Sequence, residues 1–217
     1  MKKIMFDDHY GLTKAVLEGT KTMTRRIIYD FSNYGWGSVI DAFIENGVLY
    51  FDTGLPSLFA PKELQPKYNI GEVIAVAQPY KDLGISECLT VAKRIRLANG
   101  HSAYEFGKVT ESAGWRNKMF VRPTLMPNRI RITSIKVERL QGISEEECLR
   151  EGVYHEPIEL EDHDGLSYYA SGYAFNGSKM CYNSPRDAFA ALIDKISGKG
   201  TWEKNPWVFV YSFKLVK

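Results

Sequence analysis

The segment RIRITSIKVERLQGISEEECLREG, residues 129–152, decides how the fold is interpreted. Isoleucine alternates with arginine over residues 129–132, and the apolar positions resume one residue out of phase at Ile135. An alternation of period two predicts a strand with one buried face, and a slip of one residue within it is typical of a β-bulge, here near residues 133–134. The segment therefore predicts a strand over residues 129–140 whose basic side chains lie on the face opposite the core.

A short helix is predicted directly after that strand. Ser144 and Glu147 have the spacing of a capping box, in which each side chain binds the backbone N–H of the other residue. Ile143, just before the cap, can pack against Cys148, and Gly152 marks the end of the helix. A strand that leads into a well-capped helix is the most strongly specified part of the chain.

Outside this segment, strands are predicted more often than helices. One helix is predicted to end at Gly19, and another to run from Ser184 to Gly198. Residues 98–114 show no periodicity and predict a loop. Strand-like segments lie at residues 47–52, 72–76, 89–97 and 207–216. Several strands with few helices between them predict an α+β, barrel-like domain, not a doubly wound parallel sheet.

The composition is that of an ordinary water-soluble globular protein. Of the 217 residues, 44% are hydrophobic and 25% are charged. No apolar run approaches the roughly 18 residues of a membrane span, and no apolar stretch follows the charged start, so we expect neither a membrane partner nor a signal peptide. The cysteines are odd in number and lack metal-type spacing, which favours reduced thiols in the cytoplasm. We expect a cytoplasmic protein without a metal or a cofactor.

Charge is distributed unevenly along the chain. Between residues 115 and 139 every acidic or basic residue except Glu138 is basic, and between residues 144 and 164 every one except Arg150 is acidic. Such asymmetry indicates either a face that binds a polyanion or two separate solvated surfaces. The charge pattern alone leaves both interpretations open.

The segment EGTKTMTRR, residues 18–26, concentrates threonine, lysine and arginine directly after a predicted helix end. If the segment turns, Lys21 and Thr24 can meet, and a threonine hydroxyl beside an amine of lowered pKa is a nucleophile with its base. In a plain strand, residues three apart face opposite ways, and the segment is then a surface strand with solvated cations. Glu151, in the last helical turn, either adds an acid to this pair or is an exposed helix-end glutamate.

Together these segments resemble the ASCH domain, a relative of the PUA domain. The matching stretches occur in order over most of the chain: GTKTMTRR (19–26), GEVI (71–74), MP (126–127), RIRI (129–132), VERL (137–140), ISEE (143–146), Trp202 and NPWVFV (205–210). The resemblance, to the larger bacterial and phage-associated members, implies a PUA-like small mixed β-barrel with flanking helices. It implies one domain over residues 1–217 with long loop insertions near residues 30–68, 98–114 and 153–183.

The resemblance also implies a partner. The family is thought to bind RNA or nucleotides in a cleft beside the barrel, so RNA or a modified nucleoside is the expected ligand. In this interpretation arginines meet phosphate groups and a tryptophan stacks on a base. The residues expected to bind the nucleic acid or substrate are Thr22, Arg25, Arg26, Trp115, Arg116, Arg129 and Arg131.

One short branch of the family is an amidohydrolase that removes the acetyl group from 4-acetylcytidine with a lysine, a threonine and a glutamate. These correspond here to Lys21, Thr24 and Glu151, the expected catalytic residues. The chain departs from the larger members at residues 77–80, AQPY, where an arginine–glutamate pair and a tryptophan are common. Three functions remain: an RNA- or nucleoside-binding module, an amidohydrolase of N-acylated cytidine-like substrates, and a protein-interaction adaptor using the acidic segment 153–183.

Overall fold

The computed structural model describes residues 1–28, 39–52, 58–59, 64–84, 86, 89–97, 101–161 and 167–216. The chain divides into two compact units. The first contains Met1–Phe6, Val73–Ile130 and Val216–Lys217, and the second contains Asp7–Glu72 and Arg131–Leu215. Each unit is therefore assembled from segments that are distant in sequence. The prediction of a single domain over residues 1–217 stays a prediction.

Within the described residues, the strands and α-helices alternate irregularly along the chain. In order they are β1 (Lys3–Ile4), α1 (Leu12–Glu18), β2 (Met23–Ile27), β3 (Asp41–Glu45), β4 (Val48–Asp52), β5 (Leu58–Phe59), β6 (Val73–Val76), β7 (Thr90–Arg96), β8 (Ser102–Lys108), β9 (Arg129–Arg139), α2 (Glu145–Arg150), β10 (Val153–Glu161), β11 (Ser167–Phe175), α3 (Pro185–Ser197), α4 (Thr201–Lys204) and β12 (Trp207–Val216).

The first unit combines a parallel strand pair with a hairpin. Strand β1 pairs in parallel with β6, and Lys3 lies opposite Ala75. Strands β7 and β8 form an antiparallel hairpin in which Thr90 lies opposite Lys108. Short 3₁₀ turns follow between residues 109 and 125. The unit contains a small hydrophobic core, whose buried members are Ala75, Ala77, Tyr80, Val109, Val121 and Met126.

The second unit is built on a sheet with the strand order β9-β12-β2. Strand β12 pairs antiparallel with β2, and Val210 lies opposite Arg25. Because β12 is central, its residues from Trp207 to Phe213 are buried on both faces, as its apolar start predicts. Helices α2 and α3 contribute to a core on one face, whose buried members include Met23, Cys148, Phe189, Val208 and Val210.

The structure is mixed α+β, which confirms the predicted class. The described strands form open sheets, and none of these sheets closes into a barrel. The slip of phase in β9 is confirmed, because Thr133 and Ser134 are both exposed between the buried Ile132 and the half-buried Ile135.

Each segment predicted as a loop insertion contains strands in its described part. Strand β8 occupies much of the predicted loop 98–114, and β3, β4 and β5 lie in the region 30–68. Most side chains of β8 are exposed, so no hydrophobic alternation predicted this strand. Strand β4, by contrast, buries Leu49 and Phe51 and corresponds to the strand predicted over residues 47–52. Residues 29–38, 53–57, 60–63, 98–100 and 162–166 lie outside the described part.

The segment 153–183 is largely a hairpin of β10 and β11, not a loop. The acidic run pairs residue for residue with the tyrosine-rich run, from Val153 opposite Phe175 to Glu161 opposite Ser167. Across this pairing the rings of His155 and Tyr173 meet edge to face at 5.5 Å. This cross-strand contact gives Tyr173 a structural role. The adaptor hypothesis for this segment stays a prediction.

The capping box at the start of α2 is present. The Ser144 hydroxyl accepts from the Glu147 N–H at 3.2 Å, and the Glu147 carboxylate accepts from the Ser144 N–H. We expect Ser144→Ala to lower the free energy of unfolding by about 1 kcal/mol, because one helix N–H loses its acceptor. Urea unfolding would measure the change, with exposed Ser134→Ala as the control. An equal effect of the two substitutions would contradict the role of the cap.

Candidate functional site: a buried lysine, arginine and glutamate network

A turn after α1 brings Lys21 toward the interior of the second unit. Helix α1 ends at Gly19, whose φ of +80° is in the left-handed region that glycine tolerates. The Lys21 N–H then donates to the Ala15 carbonyl at 3.0 Å, and the Thr22 N–H donates to the Arg150 carbonyl at 3.0 Å. Residues 19–22 therefore form a turn that directs the Lys21 side chain toward the end of α2.

The Lys21 ammonium is buried against Glu151. Its Nζ donates to Glu151 Oε2 at 2.7 Å and to the Glu151 backbone carbonyl at 2.6 Å. The side chains are only 2% and 5% exposed, so solvent screens the pair little. Burial lowers the pKa of Lys21 below its ordinary value, and this effect outweighs the opposing attraction of Glu151. The amine is thereby closer to neutral near physiological pH than a surface lysine is.

Glu151 reaches Lys21 because helix α2 ends there. Glu151 is the C-cap residue, and Gly152 follows with φ of +109°. A Cβ atom at residue 152 would lie 2.8 Å from Leu12 Cδ2 and 3.8 Å from Lys21 Cδ. The glycine thus permits both the turn of the backbone and the close approach of α1 and Lys21.

We expect Gly152→Ala to lower the free energy of unfolding by about 1 to 3 kcal/mol, since it combines a strained positive φ with overpacking. Gly47→Ala is the matched control, because Gly47 also has positive φ but has no atom near its ideal Cβ position. Thermal unfolding of both variants would measure the difference. If Gly47→Ala costs as much as Gly152→Ala, the packing against Leu12 is not the cause.

Arg25 occupies the centre of a larger ion-paired network. Its NH1 donates to Glu151 Oε1 at 3.1 Å, and its NH2 donates to Glu138 Oε1 at 2.6 Å and to Glu147 Oε2 at 2.5 Å. Burial works to lower the pKa of Arg25, but the three carboxylates, with Glu151 foremost, raise it overall. With a side chain only 1% exposed, Arg25 is not available to phosphate in this structure, which corrects its predicted role.

Lys136 forms the exposed end of the same network. Its Nζ lies 2.8 Å from Glu138 Oε2 and 2.7 Å from Glu147 Oε1, and its side chain is 47% exposed. Burial works to raise the pKa of Glu147, but Lys136 and Arg25 together hold it below its ordinary value. The network thus joins three cations to three carboxylates, and it runs from solvent to the buried Lys21.

Sequence analysis missed three members of this network: Lys136, Glu138 and Glu147. Glu138 is the one acidic residue within the basic stretch 115–139, and it lies two residues from Lys136 on the same face of a strand. The Glu147 side chain has two structural roles, because it completes the capping box and also binds Arg25. The isolated acid in a basic stretch was the available signal.

Thr24 is buried on β2, but the structure does not join it to the pair. Consecutive strand residues point to opposite faces, so Thr24 and Arg26 share a face from which Arg25 points away. In the part of the chain that the structure describes, the Thr24 hydroxyl makes no hydrogen bond with Lys21 or Glu151. The structure therefore brings together two of the three predicted catalytic residues, and the catalytic role of Thr24 stays a prediction.

The other predicted binding residues of the second unit differ in exposure. The Thr22 hydroxyl is half-buried and accepts from Arg150 Nε at 3.1 Å. Arg26 and Arg131 are exposed. The exposed side chains of these two arginines are accessible from solvent, and the Thr22 hydroxyl already accepts a hydrogen bond.

Three predicted binding residues lie in the first unit. Trp115 is partly buried and packs against the apolar core of that unit, so much of its ring serves packing. Arg116 is exposed. Arg129 is half-buried, and its Nε has no hydrogen-bond partner among the described residues. The surroundings of these three residues are described within the first unit alone. Their role in binding stays a prediction.

The first unit also contains a cavity of about 690 Å³. The Tyr80 ring lines it, and the Tyr80 hydroxyl accepts from the Arg122 N–H at 2.7 Å. Gly114 lies against that ring, because a Cβ at residue 114 would be 2.6 Å from Tyr80 Cε2. Other residues that line it include Glu105, Lys108 and Phe120. A volume in this range suits a small molecule.

The described residues include neither a candidate metal site nor a membrane-spanning helix. No group of three or more His, Cys, Asp or Glu side chains there is arranged to hold a metal ion. None of the described helices is long and apolar enough to cross a membrane.

Cys148 is buried beside the network, and its thiol makes a contribution to stability that depends on pH. Burial raises the pKa of the Cys148 thiol to about 12. The unfolded chain therefore releases this proton at lower pH than the folded protein does, so the contribution of the thiol to stability falls as the pH rises from about 9 toward 12. We expect the unfolding free energy of wild type minus that of Cys148→Ala to decrease over this range, measured by urea unfolding. A constant difference would contradict the burial effect.

Comparison with family models, curated proteins and solved structures found no match to this chain. The ASCH resemblance rests on the quoted sequence segments.

Proposed function

We propose that the chain is an amidohydrolase that removes the acyl group from an N-acylated nucleoside such as 4-acetylcytidine. The observation that carries the proposal is the buried contact of 2.7 Å between Lys21 and Glu151, in which burial lowers the lysine pKa. A paired base and acid with a perturbed pKa is the arrangement that proton transfer near neutral pH requires. The substrate class comes from the family resemblance.

In the proposed reaction, Lys21 and Glu151 move one proton. Neutral Lys21 takes the proton of the Thr24 hydroxyl while Thr24 Oγ bonds to the acyl carbon, and the carbonyl oxygen becomes an oxyanion. The proton passes from Lys21 to Glu151 across their 2.7 Å contact and then to the leaving nitrogen as the carbon–nitrogen bond breaks. Arg26, on the same face of β2 as Thr24, is the candidate to stabilise the oxyanion.

Water completes the turnover. A water molecule attacks the acyl–Thr24 ester and gives a proton to Lys21, and collapse of the intermediate breaks the bond from carbon to Thr24 Oγ. Thr24 then recovers its proton from Lys21, and the carboxylic acid leaves. For this sequence Thr24 must come within hydrogen-bond reach of Lys21 when substrate is bound.

The decisive experiment is hydrolysis of 4-acetylcytidine by the purified protein, followed by chromatography of released cytidine. We expect release by the wild type and a loss of about 100-fold or more in Lys21→Ala and in Glu151→Gln. Lys14→Ala is the matched lysine control, because Lys14 is an exposed residue of α1. Absence of turnover by the wild type on 4-acetylcytidine and related N-acyl cytidines would overturn the proposal.

A second experiment tests the nucleophile. If Thr24 bonds to the acyl carbon, Thr24→Ser should retain measurable turnover, and Thr24→Val should lose it. Mass spectrometry of rapidly quenched enzyme should find the acyl group on the tryptic peptide that contains Thr24. Full activity of Thr24→Val would show that water attacks directly and that Thr24 has no covalent role.

The second candidate function is binding of RNA or a modified nucleoside without turnover. The exposure of Arg26 and Arg131 favours this function, because an exposed guanidinium can form a bidentate contact with phosphate. In this case RNA affinity should fall steeply with salt, and Arg26→Ala should weaken it. Arg25→Ala is no test of this function, since Arg25 is buried. That the fold is related to the fold of PUA domains is part of the same proposal.

A further inference from the structure

The charged residues that surround the Lys21–Glu151 pair are arranged around Arg25. Each oxygen of the Glu151 carboxylate binds a different cation: Oε2 accepts from Lys21 and Oε1 accepts from Arg25. A carboxylate held at both oxygens has a fixed orientation, because rotation about its last bond would break one contact. The direction in which Glu151 faces Lys21 is therefore determined by Arg25.

Arg25 is itself held firmly. Its second terminal nitrogen binds Glu138 on β9 and Glu147 on α2, and its guanidinium lies 5.9 Å from the centre of the Phe189 ring. Lys136 binds the remaining oxygens of the same two glutamates. Since both glutamates are bound from two sides, Arg25 has no alternative position that keeps its contacts.

We propose that Arg25 is a positioning residue, which orients the Glu151 carboxylate toward Lys21 and tunes the proton affinity of Lys21 through its charge. Glu138, Glu147 and Lys136 hold Arg25 in place. Arg25 touches no reacting atom in the proposed reaction, so its effect passes through Glu151 and Lys21. This role differs from the phosphate binding that the sequence predicts for Arg25.

The charge effect has a definite sign. The groups that act on Lys21 are Glu151, which raises its pKa, and Arg25 and Arg26, which lower it in addition to burial. The more distant Glu138, Glu147, Lys136 and Cys148 act on Arg25 or beside it. Among the described residues, Lys21 and Arg25 are the cations that bind the Glu151 carboxylate, so removing the Arg25 charge leaves this carboxylate to Lys21. It also removes a repulsion, and both changes raise the pKa of Lys21.

The test compares Arg25→Met and Arg25→Lys with wild type. In Arg25→Met we expect the ascending limb of the kcat profile against pH to move up by about one unit. We also expect kcat to fall about 100-fold with little change in KM, because Glu151 loses its orientation. Arg25→Lys keeps the positive charge but lacks the two terminal nitrogens of the guanidinium. The ascending limb of its kcat profile should therefore stay near that of wild type, and its kcat should fall less than that of Arg25→Met.

The matched control is Arg186→Met. Arg186 is a part-buried arginine of α3 that donates to the Ile143 and Gln141 carbonyls, away from the pair. Its removal should lower stability without moving the pH limb. All variants are to be assayed at a temperature where circular dichroism shows them folded. If Arg186→Met moves the limb as Arg25→Met does, Arg25 is merely structural and the proposal is overturned.

The proposal rests on the proposed amidohydrolase function, so one readout needs no turnover. The Nζ resonance of Lys21, assigned by Lys21→Arg in ¹⁵N-lysine-labelled protein, is to be titrated in wild type and Arg25→Met. An upward shift of its midpoint in Arg25→Met supports the proposal even if no substrate is hydrolysed. An unchanged midpoint overturns it, whatever the activity of the wild type.

Discussion

Replacement of Glu151 by alanine should lower the free energy of unfolding by about 3 to 5 kcal/mol, one of the two largest effects we expect. The substitution leaves Lys21 and Arg25 buried without the carboxylate that both contact. An uncompensated buried charge must lose a proton or draw in water, and either response costs free energy. Urea unfolding at neutral pH, followed by circular dichroism, would measure the loss.

A double variant separates the missing partner from the missing side chain. In Lys21→Met/Glu151→Leu the deep pair is replaced by apolar groups of similar size, and we expect much of the stability to return. Arg25 retains Glu138 and Glu147 in this variant. If the double variant is as unstable as Glu151→Ala, the loss arises from packing, and the account of an uncompensated charge is wrong.

Replacement of Phe189 by alanine should lower the free energy of unfolding by about 3 to 5 kcal/mol. Phe189 is a buried core residue of α3, and its ring meets the Trp202 ring edge to face at 6.2 Å and lies near the Arg25 guanidinium. Its removal opens a cavity between α3 and the sheet that carries the network. The same unfolding measurement applies.

Two controls define the result for Phe189. Phe189→Leu keeps most of the volume and should cost much less than Phe189→Ala. Phe120→Ala truncates the same residue type where it is 59% exposed, and should change stability by under about 0.5 kcal/mol. Comparable losses at residues 189 and 120 would contradict the burial that the structure assigns.

The strand and helix of residues 129–152 could be predicted because their signals are local. Alternation in β9 and the capping box of α2 each depend on residues a few positions apart, and both are confirmed. The predicted loop at residues 98–114 is wrong for β8, and the strand was missed because most of its side chains, including Tyr104 and Phe106, are exposed and show no burial pattern. Pairing with a distant partner, as between β2 and β12, is likewise invisible to local periodicity.

The candidate site was only partly predictable. Family resemblance selected Lys21 and Glu151, and the structure brings them into contact. Arg25 was predicted to bind phosphate, but its side chain is buried among carboxylates. Its partners come from β9 and α2, more than a hundred residues away in sequence, and no local rule links those positions.

The network has a consequence for the order of folding. Its contacts join residues as far apart in sequence as Lys21 and Glu151, which are separated by 130 positions. Closing such a loop costs chain entropy before any contact is gained, so the network belongs to the late stages of folding. Interactions that form after the transition state slow unfolding more than they speed folding. We therefore expect the buried ion pairs to slow unfolding, and so to lengthen the lifetime of the folded state, more than they speed folding.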